Sequence, residues 1–523
     1  MTWPAPPSPD DPHPAAGDPS HAGGTPPGDP TPAGGSPHTG DWVRAGGAQY
    51  SGTAGYAADP AHAGGTAYPG ETLPGQHGAP QRRPRWARVG VLGGVVAVTI
   101  VCGIALLLLI GYPIGPVALG VGIVGAALPV PLIVSALMWL DRYEPEPTVY
   151  LVLCFVWGAF VAALAALGLN NGTVAIFHAL HWSTTAIGFA TAPVVEESMK
   201  ALGPVLLLLI TVKLGRRTFN SKIDAIVLFG MSAAGFAMSE NILYLGRAGY
   251  AAGVERGGVS EGVTETLAVF ILRVPLSGFA HPLFTSMTAI GVGTAIVATS
   301  RRVRRFAPFV GLFAAIALHA SWNGIITVAD VTGHQEILLY GYFSLFVPIF
   351  FGVVGYAMWL RSAEGRLTQV ALLPYVRAGW LSPPEVASLA SVSRRRSART
   401  WATRVAGPPG AAAMRGFQLA ATQLALLRDR AERRAAAGLD PGGVDLADER
   451  RLLEMVTAYR SVYVGADMQA PAAWWDGTRY HVVLPGGEGW TLPAPETPVV
   501  PVPIYAPQMT APPGLAYPPH GVR

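Results

Sequence analysis

Charged residues are scarce in this chain. Asp, Glu, Lys and Arg make up 13% of its 523 residues, whereas an average soluble domain holds about 25%. Half of the residues are hydrophobic. This composition excludes an ordinary soluble protein. The net charge of +4 is spread over tails and loops, which indicates a signal for membrane topology rather than a nucleic-acid-binding surface.

Cysteine is nearly absent as well. The two cysteines, Cys102 and Cys154, both lie inside apolar stretches. Two isolated thiols in such positions cannot build a disulfide framework or a thiolate metal site, so both classes of structure are excluded.

Aliphatic clusters are missing from about the first 80 residues, which are rich in Pro, Gly, Ala, Ser and Asp. Such a segment cannot bury enough apolar surface to offset its chain entropy, and it lacks the short apolar core of a secretory signal. We predict a disordered cytoplasmic tail (1–85), a transmembrane domain (86–362), a cytoplasmic helical segment (363–470) and a Pro-rich disordered tail (471–523). A short strand is predicted within the last part, at 480–484.

Long apolar stretches fill the chain between Arg88 and Arg361. Several approach the roughly 20 residues that cross a bilayer as a helix. We therefore predict an all-α polytopic membrane protein with about eight transmembrane helices in a bundle. The predicted spans are 89–111, 115–140, 149–169, 185–212, 223–247, 267–299, 306–328 and 336–360.

Four clusters of basic residues fall on one side of the membrane if these spans alternate in direction. They lie at 82–88, 213–222, 301–305 and 361–366. By the positive-inside rule this side is the cytoplasm, so both termini are predicted to be cytoplasmic. The Ala, Gly, Pro and Arg content is typical of a bacterium with GC-rich DNA. We accordingly expect a multi-pass protein of the plasma membrane.

The predicted soluble segment begins with a clear helix start. Ser382 is a suitable N-cap, proline follows at the first helical position, and Glu385 lies three residues on. Two amphipathic helices at about 411–437 and 444–464 are then predicted to pack as a hairpin.

Polar side chains interrupt four consecutive predicted spans. An ionisable group at bilayer depth costs at least a few kcal/mol, so it indicates a functional site. The groups fall near the middle of the roughly 30 Å apolar core, which predicts one polar site shielded from lipid. In chain order they are Glu196, Glu197, Lys200, Glu240, Asn241, His281, His319 and Asn323.

This set of residue types is suited to hydrolysis. A glutamate can activate water as a general base, while imidazole or amide donors stabilise an oxyanion. Two histidines and one glutamate with an open position also form a catalytic zinc set. Here the ligands would come from three helices, so no local metal-binding signature is available.

The types and the order of these polar residues, from Glu196 to Asn323, resemble those of the PrsW family of intramembrane proteases, a branch of the CAAX-protease-like superfamily. The resemblance covers roughly residues 140–360 and implies an endopeptidase that cuts membrane-anchored proteins within or beside the membrane. It implies a catalytic pair and residues that hold a divalent metal, expected to be zinc, or the oxyanion. The wider superfamily also supports a glutamate-activated water without metal.

Carried over to this chain, the resemblance assigns two groups of residues. The catalytic group is Glu196, Glu197, Lys200 and Asn323. The metal group is Glu240, His281 and His319. Some relatives have Asp at the position of Asn323, which makes this residue a weaker ligand and a better hydrogen-bond donor.

Two other functions use the same residues. Buried carboxylates and histidines form proton relays in transporters, so a proton-coupled transporter is one alternative. A non-catalytic membrane scaffold that recruits partners through its tails is the other. Lys200 could simply neutralise Glu197, and Arg273 near the outer surface could be an interfacial anchor. We expect a lipid bilayer and a membrane-anchored protein as partners, and no nucleic acid.

Overall fold

The computed structural model describes part of the chain: residues 85–181, 189, 191–213, 219–439, 446–467, 472–476, 478–484 and 486–493. The predicted N-terminal tail, apart from Arg85, lies outside these residues, as do the start of the predicted span 185–212 and the last 30 residues of the C-terminal tail.

Helices dominate the described residues before 472. In chain order they are α1 (Arg85–Ala127), α2 (Val130–Leu140), α3 (Thr148–Val156), α4 (Ala163–Ala179), α5 (Ala192–Lys213), α6 (Lys222–Leu243), α7 (Ala252–Ile271), α8 (Ala280–Val297), α9 (Arg301–Thr332), α10 (Glu336–Gly341), α11 (Val347–Ala371), α12 (Leu373–Arg377), α13 (Pro383–Leu389), α14 (Val392–Ala436) and α15 (Leu446–Arg460). Short π-helical segments occupy Trp157–Ala162, Tyr244–Ala251, Leu272–Leu276 and Tyr342–Phe346.

Five helical segments of the described chain are long and apolar enough to cross a membrane. They are Gly93–Leu140, Thr148–Ala179, Lys222–Val297, Arg301–Thr332 and Glu336–Arg377. The first and third contain 48 and 76 residues, more than the roughly 20 that one crossing requires. The chain is therefore a helical membrane protein, while the predicted number of eight crossings is not confirmed by this criterion.

Helix α6 lies at the centre of the membrane domain and is buried along nearly its whole length. Its N-terminus carries a capping box: the Ser221 hydroxyl accepts from the backbone N–H of Asp224, whose carboxylate accepts from the N–H of Ser221. A side chain on Gly235 would collide with the carbonyl oxygen of Phe155. The small residue at this point of α6 therefore allows the two helices to approach closely.

The C-terminal unit, α12 to α15 with the strands that follow, has a hydrophobic core of its own. Its helix α13 begins with the predicted capping box between Ser382 and Glu385. Helices α14 and α15 pack against each other through residues that include Phe417, Leu424 and Val456. The predicted helical hairpin is confirmed, although α14 begins earlier than expected and contains a kink at Ala406 and Gly407.

The strands depart from the prediction of a disordered tail after residue 471. Three strands are present: β1 (Ala472–Trp475), β2 (Arg479–Val483) and β3 (Gly489–Pro493). They form an antiparallel sheet in that order. Tyr480 pairs with Trp475 on one side and with Leu492 on the other. The indole N–H of Trp475 donates to the carbonyl of Val376 at 2.9 Å, which ties the sheet to α12. The single predicted strand is thus the middle strand of a small sheet.

The C-terminal unit packs directly on the membrane domain. Helix α11 runs without a break across the predicted boundary at residue 362. The Arg395 guanidinium donates to the carbonyl of Tyr143, at 3.0 Å, in the loop between α2 and α3. The Tyr143 hydroxyl donates in return to the carbonyl of Ala390, at 3.2 Å. These contacts place α13 and α14 against one end of the helix bundle.

Candidate active site

Helix α5 supplies three charged side chains to the interior of the bundle. Glu196, Glu197 and Lys200 are all buried, and Glu197 and Lys200 are completely excluded from solvent. Their spacing of three and four residues places them on one face of the helix. The Lys200 ammonium lies 2.8 Å from Oε1 of Glu197 and 3.6 Å from Oε2 of Glu196, so one cation is shared by two carboxylates.

The Lys200 ammonium also reaches across to α8 and α6. It lies 2.9 Å from Nδ1 of His281 and 4.1 Å from the centre of the Phe236 ring. An ammonium group only donates hydrogen bonds, so Nδ1 of His281 is the acceptor. The hydrogen of this imidazole is then on Nε2, which donates to Oε2 of Glu240 at 2.6 Å.

Glu197 is the most fully hydrogen-bonded carboxylate of the site. Its Oε1 accepts from Lys200 and from Nδ1 of His319, the latter at 3.1 Å. Its Oε2 accepts from the hydroxyl of Thr285 at 2.8 Å. This carboxylate therefore connects α5, α8 and α9, and it holds the His319 ring with Nδ1 protonated.

Glu196 is bonded more sparsely. The amide of Asn170 on α4 donates to its Oε1 at 3.5 Å. Its Oε2 is buried and has no hydrogen-bond donor among the described residues. The Lys200 ammonium and Nε2 of His319 lie 3.6 Å and 3.9 Å from that oxygen. Glu196 is thus the carboxylate of the site with an oxygen left open for a ligand.

Glu196 and two histidines place three donor atoms close together. Among the described residues, one oxygen of Glu196 and one nitrogen each of His281 and His319 lie within 4.8 Å of one another and could hold a metal ion. Each histidine has a carboxylate partner on one ring nitrogen, Glu240 for His281 and Glu197 for His319. Such outer carboxylates are typical of metal-binding histidines, since they orient the ring and make it more basic.

The predicted site residues differ in their contacts. His281 and His319, both predicted metal residues, lie with Glu196, a predicted catalytic residue, in the group that could hold a metal ion. Glu240, the third predicted metal residue, contacts the Nε2 atom of His281 and lies 3.6 Å from Arg273. Asn323 is partly buried on α9, one helical turn beyond His319.

Sequence reasoning missed several contacts. Thr285 lies four residues after His281 on α8, a spacing that could have placed both on one face. Asn170 had only the weak signal of an amide at the end of an apolar stretch. Arg273 was interpreted as an interfacial anchor, yet it lies beside Glu240 and stacks on the Tyr244 ring at 3.3 Å. Each of these roles depends on a neighbouring helix, which no local pattern identifies.

Aromatic side chains close the site on its α8 and α9 side. Phe284 stacks on the His319 ring with centroids 5.0 Å apart, and Trp322 lies 6.5 Å from Phe284. The Phe236 ring lies 5.7 Å from His281 on the opposite side. These apolar walls lower the local dielectric, which strengthens each electrostatic contact inside.

Comparison with known proteins identifies relatives of the segment that carries this site. Residues 146–366 match the model of the family described as "PrsW family intramembrane metalloprotease". The chain is also 27% identical over 204 residues to "Protease PrsW" of Clostridioides difficile (strain 630), an alignment that covers 38% of this chain and 77% of that protein. No solved structure matches the chain. The matched segment contains every site residue described above.

Proposed function

Because residues 146–366 belong to the PrsW family of intramembrane metalloproteases, we propose that this protease cleaves membrane-anchored proteins near the end of a transmembrane segment, with Glu196 at the reacting water. The observation that carries the proposal is the open Oε2 atom of Glu196, which is buried and lies 3.9 Å from Nε2 of His319. A carboxylate in this position can take a proton from water as a general base.

The remaining residues have distinct roles in this proposal. Lys200 neutralises the two glutamates of α5, so that Glu196 is available as an anion inside an apolar bundle. Glu197 is a positioning residue, since its oxygens are occupied by Lys200, His319 and Thr285. Asn323 donates its amide hydrogens to the developing oxyanion, in keeping with its location one turn from His319.

The donor atoms fit the metal that the family description implies. Glu196, His281 and His319 would hold it, because two imidazoles and one carboxylate form a zinc-type set and the Oε2 atom of Glu196 has no other donor. Oε2 of Glu196 would then be a ligand, so it is the general base in a site that works without metal. When bound, a divalent metal would lower the pKa of a coordinated water and polarise the scissile carbonyl. Glu240 then orients His281 rather than acting as a ligand.

Metal binding at His281 would require Lys200 to give up one of its contacts. Its ammonium already contacts Nδ1 of His281, so a cation bound to that nitrogen would replace this hydrogen bond. Lys200 would then retain Glu197, its closest carboxylate. A site that functions without metal would instead keep Lys200 on His281, which makes metal removal an informative experiment.

We also infer that the protein crosses the plasma membrane about eight times, with both termini in the cytoplasm. The four basic clusters support this orientation by the positive-inside rule. The 48-residue and 76-residue apolar segments each have room for more than one crossing.

Fragment analysis in cells tests the proposed activity. Membrane-protein fragments are compared between cells that express wild type, Glu196→Gln or the control Glu255→Gln, which changes an exposed glutamate of α7. Fragments from single-span proteins should occur with wild type and with the control and disappear with Glu196→Gln. Identical fragment patterns at equal expression would refute hydrolysis at this site. A proton-coupled transporter would instead lose transport in Glu196→Gln and produce no fragments with wild type.

A further inference from the structure

A cavity lies where the C-terminal unit meets the membrane domain, and none of the active-site residues described above lines it. Its volume is about 390 Å³, within the range of small-ligand pockets. The apolar part of its wall includes Val205 and Leu208 of α5, Val292 and Ile296 of α8, and Pro308 of α9. The cavity therefore opens between ends of helices that belong to the membrane domain.

The other part of the wall is strongly basic. Four arginines line the cavity: Arg304 from the first turn of α9, and Arg430, Arg433 and Arg434 from the end of α14. No acidic residue is among the described residues that line it. Opposite charge is supplied nearby by Asp429, whose carboxylate lies 2.6 Å from Nη2 of Arg433. Four guanidinium groups therefore line the cavity, although Arg433 is paired with Asp429 and both Arg430 and Arg434 have partners of their own.

Two of these arginines are held in place by the membrane domain. The Arg433 guanidinium donates through Nη1 to the carbonyl of Val297, at 3.0 Å, where α8 ends. Nη2 of Arg430 donates to the side chain of Asn220, at 3.2 Å, just before α6. The Nε atom of Arg433 is buried and has no acceptor among the described residues. A fixed basic group with an unused donor is suited to an anionic ligand.

We propose that this cavity binds an anionic phospholipid from the leaflet that faces the C-terminal unit. The unused Nε–H of Arg433 would donate to the phosphate, the other arginines would surround it with positive charge, and the apolar wall would contact the first carbons of the acyl chains. Basic pockets between transmembrane helices recognise lipid headgroups in this way. The bound lipid would bridge α14 to α8 and α9, so it would hold the C-terminal unit on the membrane domain.

Lipid titration of the purified full chain tests this site without reference to proteolysis. Delipidated protein in detergent is titrated with phosphatidylglycerol or with phosphatidylcholine of the same acyl chains, and bound lipid is counted by native mass spectrometry. We expect phosphatidylglycerol to be retained and to raise the melting temperature, whereas phosphatidylcholine does neither. Equal binding of the two lipids would overturn the proposal.

Matched arginine variants locate the binding. Arg304→Gln/Arg434→Gln removes two charges from the cavity, and Arg301→Gln/Arg302→Gln removes two exposed charges from the same end of α9. Loss of charge-assisted hydrogen bonds should weaken phosphatidylglycerol binding about tenfold for each arginine in the first variant. The second variant should bind as wild type does. Equal affinities of the two variants would contradict the proposal.

Two further measurements separate a lipid from a soluble phosphate compound. Ala298→Phe fills the cavity at unchanged charge, so it should abolish lipid retention even if the arginine variant fails to fold. Glycerol 3-phosphate carries the headgroup chemistry without acyl chains. If it stabilises the protein as much as phosphatidylglycerol does, the ligand is a soluble phosphate compound and the lipid proposal is wrong.

Discussion

The Nδ1 atom of His319 lies 3.1 Å from Oε1 of Glu197, and both side chains are buried. Because an ionised carboxylate only accepts hydrogen bonds, this contact keeps the proton of His319 on Nδ1. The other ring nitrogen is then directed towards Glu196. One contact between α5 and α9 thus sets both the tautomer and the direction of a residue that we place in the active site.

Replacing Glu197 by glutamine should damage both stability and activity. The change leaves the fully buried ammonium of Lys200 without its closest carboxylate, and removal of one partner from a buried ion pair costs about 3–5 kcal/mol. It also permits the wrong tautomer of His319. We expect a lower melting temperature together with a lower rate of substrate cleavage, both measured on purified protein.

The control for that variant is Glu255→Gln, which changes an exposed carboxylate of α7. It should alter neither the melting temperature nor the cleavage rate. If Glu197→Gln retained wild-type cleavage at wild-type stability, Glu197 would not be a positioning residue.

Metal content should distinguish Glu196 from Glu240. Glu196→Gln, His281→Ala and His319→Ala each remove a proposed ligand, so purified protein should lose stoichiometric metal. Glu240→Gln removes only the partner of His281, and loss of such an outer contact weakens metal affinity by about 10–100-fold. Titration with zinc followed by elemental analysis measures the difference.

The sequence-based assignment of Glu240 as a ligand makes the opposite prediction. Complete loss of metal in Glu240→Gln together with full metal content in Glu196→Gln would make Glu240 the ligand and contradict the proposal for Glu196. If chelation removed all metal without reducing cleavage, a metal-free glutamate mechanism would be supported instead.

Asn323→Ala should reduce the turnover number while leaving metal content unchanged. Loss of one oxyanion donor lowers the rate of acyl transfer by about 10²–10³-fold. The control is Asn171→Ala, which removes an exposed amide of α4. Single-turnover cleavage of a reconstituted substrate measures the effect. A turnover number within twofold of wild type would exclude Asn323 as an oxyanion donor.

The contact between the C-terminal unit and the α2–α3 loop should depend on pH. Burial and, to a smaller extent, the nearby Asp224 carboxylate raise the pKa of Asp141 to about 7 and that of Glu146 to about 10. The Glu146 backbone N–H, which donates to Asp141 at 2.7 Å, opposes the rise at Asp141. A carboxyl group with a raised pKa binds more protons in the folded state than in the unfolded state. Folding stability therefore falls as pH rises from about 4 to about 7.

Hydrogen exchange of residues 141–147, corrected for the intrinsic rate, measures this dependence. Protection of the loop should decrease over that pH range in wild type. Asp141→Asn should flatten the decrease, while Asp330→Asn, at an exposed site near the end of α9, should leave it unchanged. A pH profile that Asp141→Asn does not alter would show that ionisation of Asp141 has no part in it.

Local patterns predicted several elements correctly. The Ser382 and Glu385 capping box forms as expected, because its partners are three residues apart. Helical periodicity also identifies the apolar face of each helix of the hairpin. Phe417 and Leu424 of α14 share one hydrophobic core with Leu452 and Val456 of α15. All of these are properties of short segments.

Patterns were less informative where distant segments meet. The sheet at 472–493 was missed because its strands are short and lie in a Pro- and Gly-rich segment. Its cohesion depends on contacts such as that of Trp475 with α12. The depth of each intramembrane charge indicated one shared polar site. Depth did not reveal which carboxylate faces which histidine, since this depends on how each helix is rotated about its axis.

The sequence alone determined that this chain is a helical membrane protein, and it singled out Glu196, Glu197, Lys200, His281 and His319 as candidates for a functional site. Their cost inside a bilayer and their order along the chain made them candidates. Only the tertiary structure decided that Glu240 contacts Nε2 of His281 and that Oε2 of Glu196 has no hydrogen-bond donor among the described residues. Distances between helices follow from side-chain packing across the whole bundle, which no segment of the sequence contains by itself.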